Sequence, residues 1–217
     1  MLSTLHAVVR PARGPAHGLV VLLHGVGSNE RSLQALAHGL DPRLEVVLPR
    51  APLAFGADAF GWFSVQFGAQ GPVIEPAQAE ASRLLLIDYV RALQAQHGVD
   101  AAHTLVAGFS QGGIMSASVA LTAPQVARRF AILSGRILPE IAPYIPADIA
   151  TRGVRGLILH GEQDSKLPFA LATAAAARLQ ALGVEHALHG YPADHTLTAA
   201  MQADFNAWTT RALLSGH

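Results

Sequence analysis

The chain has 217 residues, 51% of them hydrophobic and 14% charged, with a formal charge of zero at neutral pH. That length suits a single domain, residues 1–217, burying about 70% of the surface its unfolded form exposes. The balanced charge leaves no basic stripe for nucleic acid, and the lack of cysteine removes disulfides, thiol catalysis and cysteine-ligated zinc.

Residues 1–10 show no basic start followed by a long apolar stretch, so no signal peptide is expected, and no later apolar run could span a bilayer. A cytoplasmic protein with no stable membrane insertion is the default expectation. Residues 18–23 (GLVVLL) read as a buried strand, and 44–48 as a shorter one. Between them, Leu33, Leu36, Ala37 and Leu40 recur at helical spacing over 32–40. Residues 49–76 are rich in Gly, Pro and aromatics (Phe55, Phe60, Trp62, Phe63, Phe67), which predicts a long irregular loop. Such a loop inside a compact domain usually serves function.

The clearest helix spans 79–96, where Leu84, Ile87, Tyr89, Val90 and Leu93 form one apolar side and His97-Gly98 stops it. Strands are expected at 104–109, 130–133 and 156–160, with a last one near 184–189, and helices at 169–182 and 198–214. Residues 135–153, with Pro139, Pro143 and Pro146, are too few for a lid domain but enough for a flap. Alternating apolar runs and helical patterns define an α/β fold, a mostly parallel central sheet with helices on both faces. No internal repeat, linker or separate lid domain is visible.

Gly108-Phe-Ser-Gln-Gly112 follows one of these strands and precedes the small-residue helical run 114–121. This is the G-x-S-x-G form of a nucleophile elbow, in which a strand turns sharply into a helix and raises a serine hydroxyl above the sheet. Strand and helix backbones nearly touch there, so the positions two before and two after the serine must be tiny. A serine nucleophile needs a base, an orienting carboxylate and oxyanion donors, in the chain order Ser, acid, His. Asp164 ends the segment GLILHGEQD immediately after a strand, on the rim where active crevices of open α/β sheets lie. Its alternative use is to cap the helix starting near Pro168, from which a loop separates it.

Of the histidines that follow, His186 and His189 fall within the last strand and His217 at the terminus; His195 lies just past the strand end and is the candidate base. Oxyanion donors are backbone amides: Gln111 N–H at the start of the helix, and Val26 N–H between two glycines in the loop after residues 18–23. His24 and His160 both end strands as Leu-His-Gly and read as rim-structuring residues, with no metal site expected.

LHGVG (23–27), PRAP (49–52), GWF (61–63), GFSQGG (108–113), HGEQD (160–164) and the late His195 together resemble the phospholipase/carboxylesterase family of α/β-hydrolases, which includes the acyl-protein thioesterases. The resemblance implies an α/β-hydrolase fold without a lid, Ser110 as nucleophile, Asp164 as orienter and His195 as base. It also places the oxyanion donors at Val26 and Gln111, and the acyl groove on the loop around Trp62 and Phe63. Three positions depart from the family: Ser64 where it usually has Asp, Asp194 where it has Gly, and Lys166 where it has an apolar residue. A cation beside the groove would favour anionic acyl groups; a lysine directed to water is the preferred reading.

The expected activity is hydrolysis of carboxylic esters of small or medium acyl substrates, through an acyl-enzyme and without cofactor. A thioesterase or lysophospholipase would use the same triad. A non-catalytic binding protein on a hydrolase fold would normally have lost a triad member, and this chain keeps all three. The partner is a small-molecule ester or thioester; the oligomeric state, homodimer included, is left open.

Overall fold

A computed structural model describes residues 5–68 and 71–214. From the N-terminal side, β1 (Ala7–Arg10) and β2 (Gly18–Leu23) precede a short helix α1 (Gln34–His38) and β3 (Leu44–Pro49). Two antiparallel pairs follow, β4 (Leu53–Gly56) with β5 (Ala59–Gly61), and β6 (Val65–Gly68) with β7 (Gly71–Ile74). Next come α2 (Pro76–His97), β8 (Thr104–Phe109), α3 (Gln111–Thr122) and β9 (Arg129–Leu133). The chain closes with β10 (Arg155–Gly161), α4 (Ala170–Ala181), β11 (Glu185–Tyr191) and α5 (Ala199–Leu214).

Seven strands form the central sheet in the order β1-β3-β2-β8-β9-β10-β11. Only the β1–β3 pairing is antiparallel; the other five neighbours run parallel. Side chains alternate across each strand, so one apolar run feeds two cores. Leu19, Val21 and Leu23 of β2 join the cluster packed by α2, α3 and α4, while Val20 and Leu22 join the one packed by α1 and α5. Each fully buried Leu or Val contributes about 1.5–3 kcal/mol of hydrophobic free energy, so sheets covered this way need apolar residues on both faces.

Helix α2 stops where the His97-Gly98 pair predicts. Gly98 takes a φ of 66°, and its N–H closes onto the Gln94 carbonyl, a left-handed cap that favours glycine. Its apolar side differs in one residue from expectation: Leu84 is 49% exposed, whereas Leu86 is wholly buried. Residues 49–76 are not one irregular loop but carry the two strand pairs β4–β5 and β6–β7. Within 135–153 the chain makes two short 3₁₀ turns, Pro139–Tyr144 and Ile149–Thr151. Strands β8, β10 and β11 run in parallel, so the segments leaving their carboxyl ends converge on one rim of the sheet.

Candidate active site

Ser110 sits between β8 and α3 with φ 55° and ψ −118°, a conformation that L-residues rarely adopt. The neighbouring glycines make it possible. A methyl group on Gly112 would run into the Leu23 carbonyl, and one on Gly108 into the backbone of Gly112. The turn is held from the far side by Ser110 N–H donating to the Leu133 carbonyl at 2.8 Å.

His195 lies in the loop between β11 and α5. Its Nε2 is 2.9 Å from Ser110 Oγ and its Nδ1 is 2.7 Å from Asp164 Oδ2. An ionised carboxylate only accepts, so Nδ1 carries the hydrogen and Nε2 is free to accept the seryl hydrogen. The Asp164 side chain is completely buried, and Oδ1 accepts the N–H groups of Lys166 and Leu167 at 2.9 and 2.8 Å. These bonds fix the carboxylate's orientation as well as satisfying it. His186 and His189 remain in β11 and are not part of this arrangement.

Neighbouring residues brace the two loops. Asp194 Oδ1 accepts from Ser165 N–H and from His195 N–H, both at 2.7 Å, tying the histidine loop to the aspartate loop. The wholly buried His160 brings Nε2 to 2.7 Å from the Leu167 carbonyl and 3.2 Å from Asp164 Oδ2. Burial lowers its pKa and favours the neutral ring. His24 is buried too: Nε2 accepts the Ala51 N–H at 3.0 Å, which assigns the hydrogen to Nδ1, 2.8 Å from the Gly25 carbonyl. Burial again pushes its pKa down, keeping the accepting nitrogen available. Among the described residues no group of three or more His, Cys, Asp or Glu could hold a metal ion.

Val26 and Gln111 flank Ser110 at the mouth of a cavity of about 600 Å³, and among the described residues neither amide N–H has a backbone acceptor. A methyl on Gly25 would lie 3.3 Å from Ser110 Cβ, so the Val26 loop and the elbow are in close contact. Leu33, Leu36, Phe63, Val65, Ile74 and Leu197 supply apolar walls. Phe63, expected to bind the acyl group, is one of these lining residues. Trp62, expected beside it, is not: it is wholly buried, with its indole N–H bonded to the His24 carbonyl at 3.0 Å, and does not line the space. Both residues lie in the bend just past β5 and both are buried, but of the two only Phe63 lines the cavity. Sequence reading missed Arg136 altogether; it lines the same cavity from the turn after β9.

The phospholipase/carboxylesterase family model matches residues 4–209. Esterase YpfH of Escherichia coli is 32% identical over 190 residues, covering 82% of this chain and 75% of that protein. Acyl-protein thioesterase 1 of Emericella nidulans is 26% identical over 193 residues, covering 81% of each. The crystal structure of esterase PE8 superposes with a TM-score of 0.82 at 29% identity, covering 97% of this chain and 99% of that one. The carboxylesterase of Bacillus cereus has the same fold, with a TM-score of 0.83 at 17% identity, covering 97% of this chain and 95% of that one. The chain belongs to the phospholipase/carboxylesterase family of α/β-hydrolases. It is an enzyme, a hydrolase of carboxylic esters.

Proposed function

We propose that Ser110, His195 and Asp164 are the nucleophile, base and orienter of a serine esterase acting on small or medium acyl esters. The observation that carries this reading is the pair of bonds made by one imidazole, to Ser110 Oγ at 2.9 Å and to Asp164 Oδ2 at 2.7 Å. As Ser110 Oγ attacks the ester carbonyl carbon, His195 Nε2 takes the seryl proton, and Asp164 stabilises the imidazolium without being protonated itself. The carbonyl oxygen becomes an oxyanion held by the Val26 and Gln111 amides, the latter aided by the positive end of α3. Collapse expels the alkoxide, to which His195 returns the proton. Water then attacks the acyl-enzyme by the same steps, releasing the carboxylic acid.

The acyl chain is assigned to the apolar walls around Phe63, Val65 and Ile74. The substrate is taken as a small-molecule ester, as the family of esterases and thioesterases suggests. A fluorophosphonate that labels Ser110 rapidly, together with turnover of short-chain esters, is the expected result. A paired panel of esters and thioesters with matched acyl chains ranks the two leaving groups. Failure of both labelling and turnover in folded protein overturns the reading.

A further inference from the structure

Whatever enters the cavity beside Ser110 meets positive charge. Arg136 and Lys166 both line it, and no aspartate or glutamate is among its lining residues. Arg136 stands on a fixed piece of backbone. The preceding Gly135 packs against the elbow so closely that a methyl there would lie 3.0 Å from the Ser110 carbonyl oxygen and 3.3 Å from Ile114 N. Ser134, with φ of 51°, is held by its N–H on the Leu159 carbonyl at 2.8 Å. From this fixed turn Arg136 lines the cavity that a substrate of Ser110 must share.

The Arg136 guanidinium is poorly provided for by the protein. Its Nε is buried without a hydrogen-bond partner, and among the described residues it forms no ion pair. Arg10 and Arg178 also bury an unpartnered Nε, but neither lines this cavity. A buried donor left unmade is costly, and a planar guanidinium matches oxyanions with two parallel hydrogen bonds. Lys166 leaves the Asp164 turn, where its own N–H is held at 2.9 Å, and among the described residues its ammonium has no carboxylate partner. The acid on the adjoining loop, Asp194, has Oδ1 committed to two backbone N–H groups.

We propose that the cavity selects esters bearing an oxyanionic group, a carboxylate or a phosphate, which Arg136 binds directly and Lys166 attracts. The apolar walls take the chain that separates this group from the scissile carbonyl. The inference rests on the esterase reading above and adds the class of substrate.

Matched pairs test it: monomethyl adipate against methyl hexanoate for a carboxylate, and methyl 6-phosphonooxyhexanoate against methyl 6-hydroxyhexanoate for a phosphate. The readout is the ratio of kcat/KM for the anionic over the neutral member. The wild type is expected to favour one anionic member by about tenfold at low salt, the preference shrinking as salt screens the charges. The pair showing it identifies the anion. Arg136→Gln should lower that ratio by about tenfold, Arg136→Lys should keep part of it, and the exposed Lys166→Gln should lower it less. A wild-type ratio at or below one in both pairs overturns the proposal, as does a ratio that Arg136→Gln leaves unmoved. Fluorophosphonate labelling separates the two levels. A labelled enzyme that prefers neutral esters loses only the anion subsite, whereas an unlabelled and inactive one loses the esterase reading too.

Discussion

Gln111 grips the backbone around Phe63 at two points: its Nε2 donates to the Phe63 carbonyl at 2.6 Å, and its Oε1 accepts the Trp62 N–H at 2.7 Å. The residue whose amide is assigned to the oxyanion hole thus also pins the segment that walls the cavity. Gln111→Ala leaves two buried backbone groups unpaired, at about 1–3 kcal/mol each. The expected outcome is a Tm several degrees lower and kcat/KM reduced by about tenfold or more. Val26→Ala keeps the backbone donor and should retain most activity. Thermal melts and kinetics on the two variants decide it; a Gln111→Ala enzyme of ordinary Tm and rate would show the clamp to be dispensable.

Ser110→Ala and His195→Ala are each expected to cost about 10⁴-fold or more in turnover, because nucleophile and base act as one unit. Asp164→Asn presents an amide to His195 and favours the wrong ring tautomer; the serine-protease example of this substitution loses about 10⁴-fold. Steady-state rates on folded variants provide the check. Inactivity of His186→Ala or His189→Ala alongside an active His195→Ala would reassign the base.

Trp62 and Phe63 are both buried, but only Phe63 lines the cavity, so the two should separate by substrate profile. Trp62→Ala removes a wholly buried ring and its bond to the His24 carbonyl, so a loss of about 3–5 kcal/mol in stability is expected. Phe63→Ala also removes a buried ring, at a comparable cost in stability, but it enlarges the cavity as well. Each acyl CH₂ buried is worth about 0.8 kcal/mol, so the wild-type rise of kcat/KM with chain length should flatten or shift to longer chains in Phe63→Ala. Chain-length profiles and denaturant melts measured together test the split. A profile insensitive to Phe63→Ala would remove Phe63 from the groove.

Acid should destabilise the fold in two stages. Burial holds His24 and His160 below their ordinary pKa of 6.5, so on acidification the unfolded chain takes up protons before the folded one does. Stability then falls as pH drops below about 6.5. Glu30 acts lower down: hydrogen bonds from Arg50 hold its pKa at about 2 against an ordinary 4.5. Its contribution is intact above about pH 4.5 and is lost as pH falls toward 2. Urea midpoints across this range should show both declines, and Glu30→Gln should blunt the lower one. A midpoint independent of pH contradicts the assignment.

The elbow and the two partner loops were legible because their chemistry is local. G-x-S-x-G marks its own turn, and Asp164 and His195 each follow a strand whose apolar run is plain. Other features depend on long-range packing, which single residues do not announce. Trp62 and Phe63 look alike as sequence and both are buried, yet only Phe63 lines the cavity. Strands β4 to β7 are short and lie in a Gly- and Pro-rich stretch, where alternation has too few residues to register. Leu84 is exposed and Leu86 buried on α2, while Ile87, Tyr89, Val90 and Leu93 lie on the buried side as expected; the periodicity sets the face but not every residue at its margin. Arg136 carries no motif at all; only the turn that carries it reveals its place.

The imidazole of His195 bonds to a serine 85 residues away in the chain, and it is delivered by β11, an edge strand with β10 as its sheet neighbour. Strands β9 and β10 stand between that edge and β8, which carries Ser110. Several β11 side chains are exposed or only half-buried, and lightly covered edges open at lower free energy than the centre of a sheet. Fraying of this one margin would carry the base away from the nucleophile while most of the helices and the other strands stayed folded. Inactivation in denaturant should accordingly run ahead of the loss of helical circular dichroism, with catalysis serving as a reporter on the sheet's outermost strand.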